Sequence, residues 1–514
     1  MNILKSSSIY SFFTLISRIF GFVRDVVFAN VLGTGLVADV FYVAFRFPNT
    51  FRRIFSEGAL HSSFIPVYSK LLAQKEKKAA NIFAGNISLI LFFITFIIVV
   101  LAEIFMPKVI SILAPGYIEN SIKFDQLIIS SRITFPFLAL ITMCSIYSSV
   151  LNAHGRFAIS AALPIILNII LILAALTAYY LDGNILIVLS CSVILAGVLQ
   201  FLLLIFSIKK NNIQITFLKS FYIDGLKKFS KLFVPSIFSS GLLQINILIG
   251  TIIASYQSGA VSYLYYADRI YQLPLALIGI ALGITLLPNL SKKIKNESNK
   301  EVFFLIEKTI IFSLLLAVPA SVALFVMPYI IIETLFQHGS FNEMSSLSSA
   351  QALKYYSIGL IAFILTKILT PIYFANEKPK PPLVLSLITV VTNTVLSIVL
   401  FKNYGFVGIA IATTISSWLN IACMYIHLHM SGLFTHSKKM FMPFIVIIFS
   451  SLFLGILLSI FVKIYSNFMI TNIFIKLSCL FIVILASLSS YILLISFYKP
   501  FSYASLKMEF LNND

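Results

Sequence analysis

The residues with the greatest chemical reach in this sequence are charges set inside apolar runs. Ser17-Arg18-Ile19-Phe20-Gly21-Phe22-Val23-Arg24-Asp25 places two arginines and an aspartate in the first run, and a second run carries Asp39, Arg46, Arg52, Arg53 and Glu57. Asp268 and Arg269 lie in a third. In the middle of a bilayer each such charge costs roughly 2.5 to 3.5 kcal/mol, so the six arginines left bare would cost on the order of 15 kcal/mol, more than a typical net stability. They must line water or pair. The nearby carboxylates are Asp25, Asp39, Glu57 and Asp268, which leaves about two positive charges unbalanced. Guanidinium groups are planar forks matched to phosphate and carboxylate oxygens, so this excess describes a site for an anion.

Helical periodicity decides which charges share a face. At about 100° per residue, Ser17, Gly21 and Arg24 fall together, with Arg18 and Asp25 on the adjacent face. Asp39, Arg46 and Arg53 recur at heptad spacing with Glu57 one turn on, and Pro48 is expected to kink this helix between Arg46 and Arg52. Gly279 and Gly283 form a GxxxG that allows close helix contact. Lys367 lies in the middle of an apolar run. Glu57 and His61, four residues apart, have no third ligand, so no metal site is expected. Cys144, Cys191, Cys423 and Cys479 lie in apolar runs without CxxC spacing and read as small buried hydrophobes. No P-loop, HExxH, GxSxG or aspartate pair of the prenyltransferase kind occurs in a plausible context, and no catalytic residue is expected. A transporter is favoured over an enzyme.

These charges must be positioned by membrane helices. The chain has 514 residues, 59% hydrophobic and 11% charged, with mean hydropathy +1.00, where a soluble domain carries roughly 25% charged residues. That excludes soluble enzymes, disulfide-stapled domains and disordered regulators, and the continuous apolar runs exclude a β-barrel. Ten uncharged stretches can each cross a bilayer: 79–102, 133–153, 157–181, 183–208, 232–255, 309–332, 381–401, 403–426, 440–462 and 477–498. Four more carry charges: 9–29, 39–69, 260–291 and 346–376. The expectation is an all-α polytopic membrane protein with about fourteen transmembrane helices. The formal net charge of +19 would suggest nucleic acid in a soluble protein, but here it reflects topology. Lysines cluster in alternate loops (Lys75, Lys77, Lys78; Lys209, Lys210; Lys227, Lys228, Lys231; Lys292, Lys293, Lys295; Lys438, Lys439), whereas the loops between them hold Lys108, Lys123, Lys354, Lys402, Lys463 and Lys476. Both termini are therefore expected in the cytoplasm. The first run lacks a small-residue cleavage site and does not read as a signal peptide.

Comparing the chain with itself at a shift of about 222 residues reveals an internal repeat. Met106-Pro107 before Ala114-Pro115-Gly116-Tyr117 matches Met327-Pro328 before Gln337-His338-Gly339-Ser340-Phe341. Tyr42-Val43-Ala44-Phe45-Arg46 matches Tyr265-Tyr266-Ala267-Asp268-Arg269. The organisation expected is two six-helix lobes, 1–210 and 211–432, plus residues 433–514 with two additional helices and a cytoplasmic tail. Six spans separate equivalent points, so the lobes should be related by an axis along the membrane normal with the substrate site between them.

The stretch Arg18 to Asp25, then Ala38-Asp39-Val40-Phe41, Phe47-Pro48-Asn49, Phe51-Arg52-Arg53-Ile54-Phe55-Ser56-Glu57-Gly58-Ala59-Leu60, the loop Leu113 to Tyr117 and Tyr266-Ala267-Asp268-Arg269 resemble the MurJ (MviN) lipid II flippases. The likeness covers essentially the whole chain. It implies the multidrug/oligosaccharidyl-lipid/polysaccharide exporter fold, a bacterial inner membrane location, and movement of lipid II, an undecaprenyl-diphosphate-linked peptidoglycan precursor, from the cytoplasmic to the periplasmic leaflet. By that resemblance Arg24, Arg52 and Arg269 face the diphosphate, with Arg18, Asp25, Asp39, Arg53 and Glu57 supporting them. No cofactor is implied; the membrane potential is the expected drive. Family members with a proposed sodium site place acidic residues in the second lobe, where this chain offers Gln244, Asn246, Asn393 and Ser397. The expected partners are lipid II, the bilayer and the cell-wall synthesis machinery, not nucleic acid. The alternative is an exporter of another polyprenyl-diphosphate-linked oligosaccharide, or a multidrug exporter, although the latter would more often show an acidic cavity.

Overall fold

The computed structural model describes residues 3–74, 76–217, 225–296, 298–437, 440–467 and 472–498, and among these the regular elements are all helical. The first repeat runs α1 (Ile3–Leu32), α2 (Leu36–Arg52), a π-helical stretch (Arg53–Leu60), α3 (His61–Ala73), α4 (Lys77–Ile104), α5 (Met106–Leu113), α6 (Ser121–Thr134), α7 (Phe137–Ala153), α8 (Phe157–Tyr180) and α9 (Ile185–Lys210). The second runs α10 (Leu226–Ala254), α11 (Ala260–Pro274), a second π-helical stretch (Leu275–Ile280), α12 (Ala281–Asn296), α13 (Asn299–Val326), α14 (Pro328–Phe336), α15 (Glu343–Ala375), α16 (Lys380–Tyr404) and α17 (Phe406–Met430). Two further helices, α18 (Phe441–Tyr465) and α19 (Ile473–Ser496), complete the order.

The repeat is written into these boundaries. Shifting α4, α5, the α6 to α7 run and α8 by about 222 residues reproduces α13, α14, α15 and α16 to within one or two residues. Both repeats also place a π-helical stretch after the second span begins. Among the described residues, eleven helical runs are long and apolar enough to cross a membrane. All fourteen expected stretches fall on helices; α1, the charged run from α2 to α3, and α10 lie outside the eleven. Two expected spans differ most in their ends. The stretch 133–153 belongs to a helical run that starts at Ser121, where the Asn120 side chain accepts from the Lys123 backbone N–H at 3.1 Å and so sets the start. The stretch 309–332 is cut at Met327, whose φ of −124° and ψ of 45° leave the helical region just before Pro328, a residue that cannot continue the helix before it.

Prolines inside spans strand the carbonyl four residues earlier, and in hydrocarbon another group must answer it. Pro48 does not end α2. The carbonyl of Ala44 accepts from the Thr134 hydroxyl at 3.1 Å. Pro319, within α13, is matched in the same way, because the Tyr491 hydroxyl of α19 donates to the carbonyl of Leu315 at 2.8 Å. Pro371 frees the carbonyl of Lys367, and Gly283 approaches so closely that a Cβ there would lie 2.6 Å from that oxygen. The GxxxG expectation therefore holds, since Gly279 likewise meets Ile364 of α15. Of the four cysteines only Cys144 is buried; Cys191 is exposed, because an apolar run in a membrane helix has an outward as well as an inward face.

Contacts divide the chain into two compact units, Met1–Ser262 with His338–Phe341, and Tyr263–Gln337 with Asn342–Asp514. In the first, α1 packs on α8 and α8 on α9, while α10 lies along α3 and the neighbouring π-helical stretch. Phe64 of α3, Phe83 of α4 and Phe229 of α10 form its aromatic centre, with ring centroids 5.3 and 6.2 Å apart in that order. In the second, α15 is central, touching α12, α13, α14 and α17, and α18 packs on α13 and α19.

Thr134→Val and Tyr491→Phe should each cost about 1 kcal/mol, the usual scale of hydrogen bonds between membrane helices. Thermal unfolding in detergent would show each variant melting a few degrees lower, whereas Ser459→Ala, whose hydroxyl bonds only within α18, should melt with the parent.

Candidate functional site

Arg24 is held on α1 from three directions. Its Nε and Nη2 donate to the Asp25 carboxylate at 3.1 and 2.7 Å, and its Nη1 donates to the Asn168 side-chain oxygen of α8 at 3.0 Å. The guanidinium carbon lies 5.7 Å from the centre of the Phe28 ring. The face expected from spacing is real, because Asn168 also donates to the Ser17 carbonyl at 3.3 Å and would meet a Cβ on Gly21 at 3.5 Å. Ser17, Gly21 and Arg24 thus share one polar neighbour. Asp25 is buried, Arg24 is half-buried and Arg18 is exposed.

Asp39 has a different setting from the one expected. It is wholly buried and takes a short ion pair from Lys123 Nζ at 2.7 Å. The backbone N–H of Gly259 (2.8 Å), the backbone N–H of Ser262 (3.0 Å) and the Ser262 hydroxyl (2.8 Å) also donate to it. Those donors are at the start of α11, whose positive dipole end favours a carboxylate. Lys123 in turn stands 3.9 Å from the centre of the Tyr117 ring. Burial, reinforced by the Asp39 charge, pushes the Tyr117 hydroxyl well above its ordinary range, so it stays neutral. Lys123, expected to be a loop charge, is buried. The sequence signal that could have found the pair is the shared scarcity of basic residues on that side, where any lysine has few competitors for a buried carboxylate.

The remaining charges of the second span are dispersed along it. Arg46 donates through Nη1 to the Thr251 hydroxyl of α10, and Arg52 donates through Nε to Asn49, one turn back, at 2.8 Å. Arg53 is half-buried where the helix widens into its π-helical stretch. The Glu57 side chain lies outside the described residues. His61 is 3.1 Å from the Ser149 hydroxyl, and among the described residues no group of His, Cys, Asp and Glu is arranged to hold a metal.

In the second unit, Arg269 is half-buried and stacks 4.5 Å over the Tyr265 ring. Its neighbour Asp268 accepts from Gln272 one turn on. Asp268 is therefore occupied along its own helix. Lys367 is exposed. Asn393 and Ser397 are both buried on α16, with a side-chain amide and hydroxyl rather than carboxylates.

A model of the family described as lipid II flippase MurJ matches residues 28–501. The chain belongs to that family. It is 37% identical over 423 residues to a probable lipid II flippase MurJ of Rhizobium tropici, covering 82% of this chain and 79% of that relative. The corresponding protein of Rickettsia prowazekii is 36% identical over 427 residues, with 83% of each chain covered. Among solved structures, a lipid II flippase MurJ in an inward closed conformation superposes with a TM-score of 0.80 at 26% identity, covering 95% of this chain and 98% of that one. A multidrug resistance MATE family transporter of the MOP superfamily matches with a TM-score of 0.70 at 14% identity, over 81% of this chain and 95% of the other, which is a likeness of fold alone.

Lys123→Ala would leave the buried Asp39 carboxylate without its cation, a loss worth about 3 kcal/mol or more. Unfolding in denaturant should show that loss, and pairing it with Asp39→Asn should recover a large part of it. If Lys123→Ala unfolded at the same denaturant concentration as the parent, the ion pair would have no structural weight.

Proposed function

We propose that this chain is a lipid II flippase of the inner membrane, carrying the diphosphate-linked precursor from the cytoplasmic to the periplasmic leaflet on membrane-embedded arginines. The observation that supports this reading most directly is the state of Arg24 and Arg269. Each is a half-buried guanidinium on a helix of the membrane region, steadied by a ring beneath it, which fixes the group while leaving its charge able to meet an anion. Arg52 joins them as the third phosphate-facing arginine, with Arg18, Asp25, Arg53 and Glu57 as supports. Asp39 acts through the start of α11. The same reading gives the chain fourteen crossings in two six-span lobes, 1–210 and 211–432, with both termini in the cytoplasm. The chain acts as a carrier rather than a catalyst, and the cell-wall synthesis machinery is its expected neighbour.

The drive comes from charge. A diphosphate with about two negative charges moving outward across an inside-negative potential gains roughly 4.6 kcal/mol per 100 mV if it is not neutralised in transit. In vesicles, collapsing the potential at constant sodium should slow translocation, and removing sodium at constant potential should not. Strict sodium dependence would point instead to an ion site.

Arg269→Ala and Arg52→Ala, expressed at normal level, should fail to support growth in a depletion strain and leave precursor in the inner leaflet, because a guanidinium contact to an ionised phosphate is worth roughly 1.5 to 3 kcal/mol. Arg→Lys should rescue in part, since the ammonium keeps the charge but not the fork. Arg24 is best tested as Arg24→Lys, because alanine would also strip the buried Asp25 of its partner. The exposed Lys402 on α16 is the control, and Lys402→Ala should be silent. Growth and translocation at parental rates in Arg269→Ala and Arg52→Ala would refute the assignment.

A further inference from the structure

A cavity of about 200 Å³ lies in the first unit, lined by Ser88 and Phe92 of α4, Ala139 and Tyr147 of α7, Phe201 of α9 and Phe217 beyond α9. None of the charged residues of the candidate site lines it. Its wall is almost wholly apolar, and Tyr147 and Phe201 close one side with ring centroids 5.4 Å apart. Phe92 is 37% exposed and begins the outward stripe Phe93, Ile94, Phe96 and Ile97 of α4, a face that only hydrocarbon can cover, so the mouth opens on the bilayer.

Depth and charge identify the occupant. At 1.5 Å per residue, Tyr147 and Ala139 lie about 9 and 21 Å from the end of α7 at Ala153, and Phe201 about 12 Å from Lys209. That range matches the acyl-chain depth of one leaflet, whose hydrocarbon half-thickness is about 15 Å beneath a headgroup layer of about 5 Å. Directly above, α9 ends in Lys209 and Lys210 and α4 begins with Lys77 and Lys78, all exposed. Among the described residues Glu76 is the one carboxylate on these helix ends. The chain leaving Lys210 turns back along α4, where the Thr216 N–H donates to the Asn81 carbonyl at 3.2 Å. Gly85 permits that approach, since a Cβ there would sit 2.2 Å from the Thr216 oxygen. This return brings Phe217 to the cavity and sets the basic helix ends over it.

We propose that the cavity holds one acyl chain of an anionic phospholipid whose headgroup is bound by the lysines at the ends of α4 and α9. The site is separate from the arginines assigned to transport, and its test requires no translocation. The lone tryptophan, Trp418 on α17, would be replaced by Phe, and Tyr147→Trp would place a reporter in the cavity wall. In vesicles, quenching by phosphatidylglycerol with brominated acyl chains should exceed quenching by equally brominated phosphatidylcholine. The corresponding difference in binding constant should be at least about fivefold, the scale set by one lysine near an anionic headgroup. Lys209→Gln with Lys210→Gln, both on the surface, should remove most of that preference, and Ala139→Phe should reduce quenching by both lipids. Equal quenching by the two lipids, or a preference untouched by the lysine substitutions, would overturn the proposal. So would displacement of phosphatidylglycerol by undecaprenyl phosphate at equal mole fraction, which would give the cavity to a polyprenyl chain.

Discussion

A charge in hydrocarbon must be answered by another polar group, and this constraint organises the molecule. Asp39 shows how completely it can be met: one lysine, two backbone N–H groups and one hydroxyl surround a carboxylate with no exposed surface. The Coulomb attraction to Lys123 is strong at low dielectric, but desolvation of both ions is nearly as large, so the pair alone would add little. The start of α11 changes the balance. It supplies donors that need an acceptor whether or not the carboxylate is there, so Asp39 satisfies groups that would otherwise be stranded. The same logic acts on uncharged backbone: Thr134 and Tyr491 each supply a hydroxyl to a carbonyl left open by proline.

The repeat and its departures have a common physical origin. Helices α13 to α16 reproduce α4 to α8 closely because apolar spans of fixed length, interrupted at Met-Pro by the same short helix, leave little freedom in where a turn can fall. The π-helical stretches after the second span begins are more telling. Each adds a residue to a turn and so rotates the helix beyond it, and such turns cluster at functional sites because they cost stability. In the first repeat the stretch begins at Arg53, beside Arg52, so the one phosphate-facing candidate of that helix and its proposed support sit where its geometry is least regular.

Span positions, the repeat and the polar face of α1 were legible in the sequence because each depends on periodicity and on the cost of charge, both local properties. Ser17, Gly21 and Arg24 were placed together by turn angle alone, and Asn168 was invisible because an amide in an apolar run announces nothing about which helix it will meet. Asp39 was grouped with the arginines of its own run, since sequence shows which charges are near along the chain but not that Lys123 lies closer in space. Pro48 lies within α2, and the carbonyl it frees found a partner 90 residues on. A π-helical stretch follows at Arg53, where no proline marks it.

Holding guanidinium groups in this way also suits a carrier better than a receptor. An arginine wholly free of partners would bind a diphosphate tightly and release it slowly, since every 1.4 kcal/mol adds a factor of about ten to residence. Arg24, however, already has Asp25 and Asn168 as partners, and Arg269 rests on Tyr265. If these arginines are the phosphate contacts proposed above, an arriving phosphate would compete at Arg24 for donors that are in use, so only the difference between the two sets of bonds would appear as affinity. That difference can be small even though the charge is fully present to attract the anion. Capture then depends on the long-range excess of positive charge, and release on the readiness of the internal partners to take the guanidinium back. A site built this way can load on one side of the membrane and empty on the other without requiring that either state bind strongly.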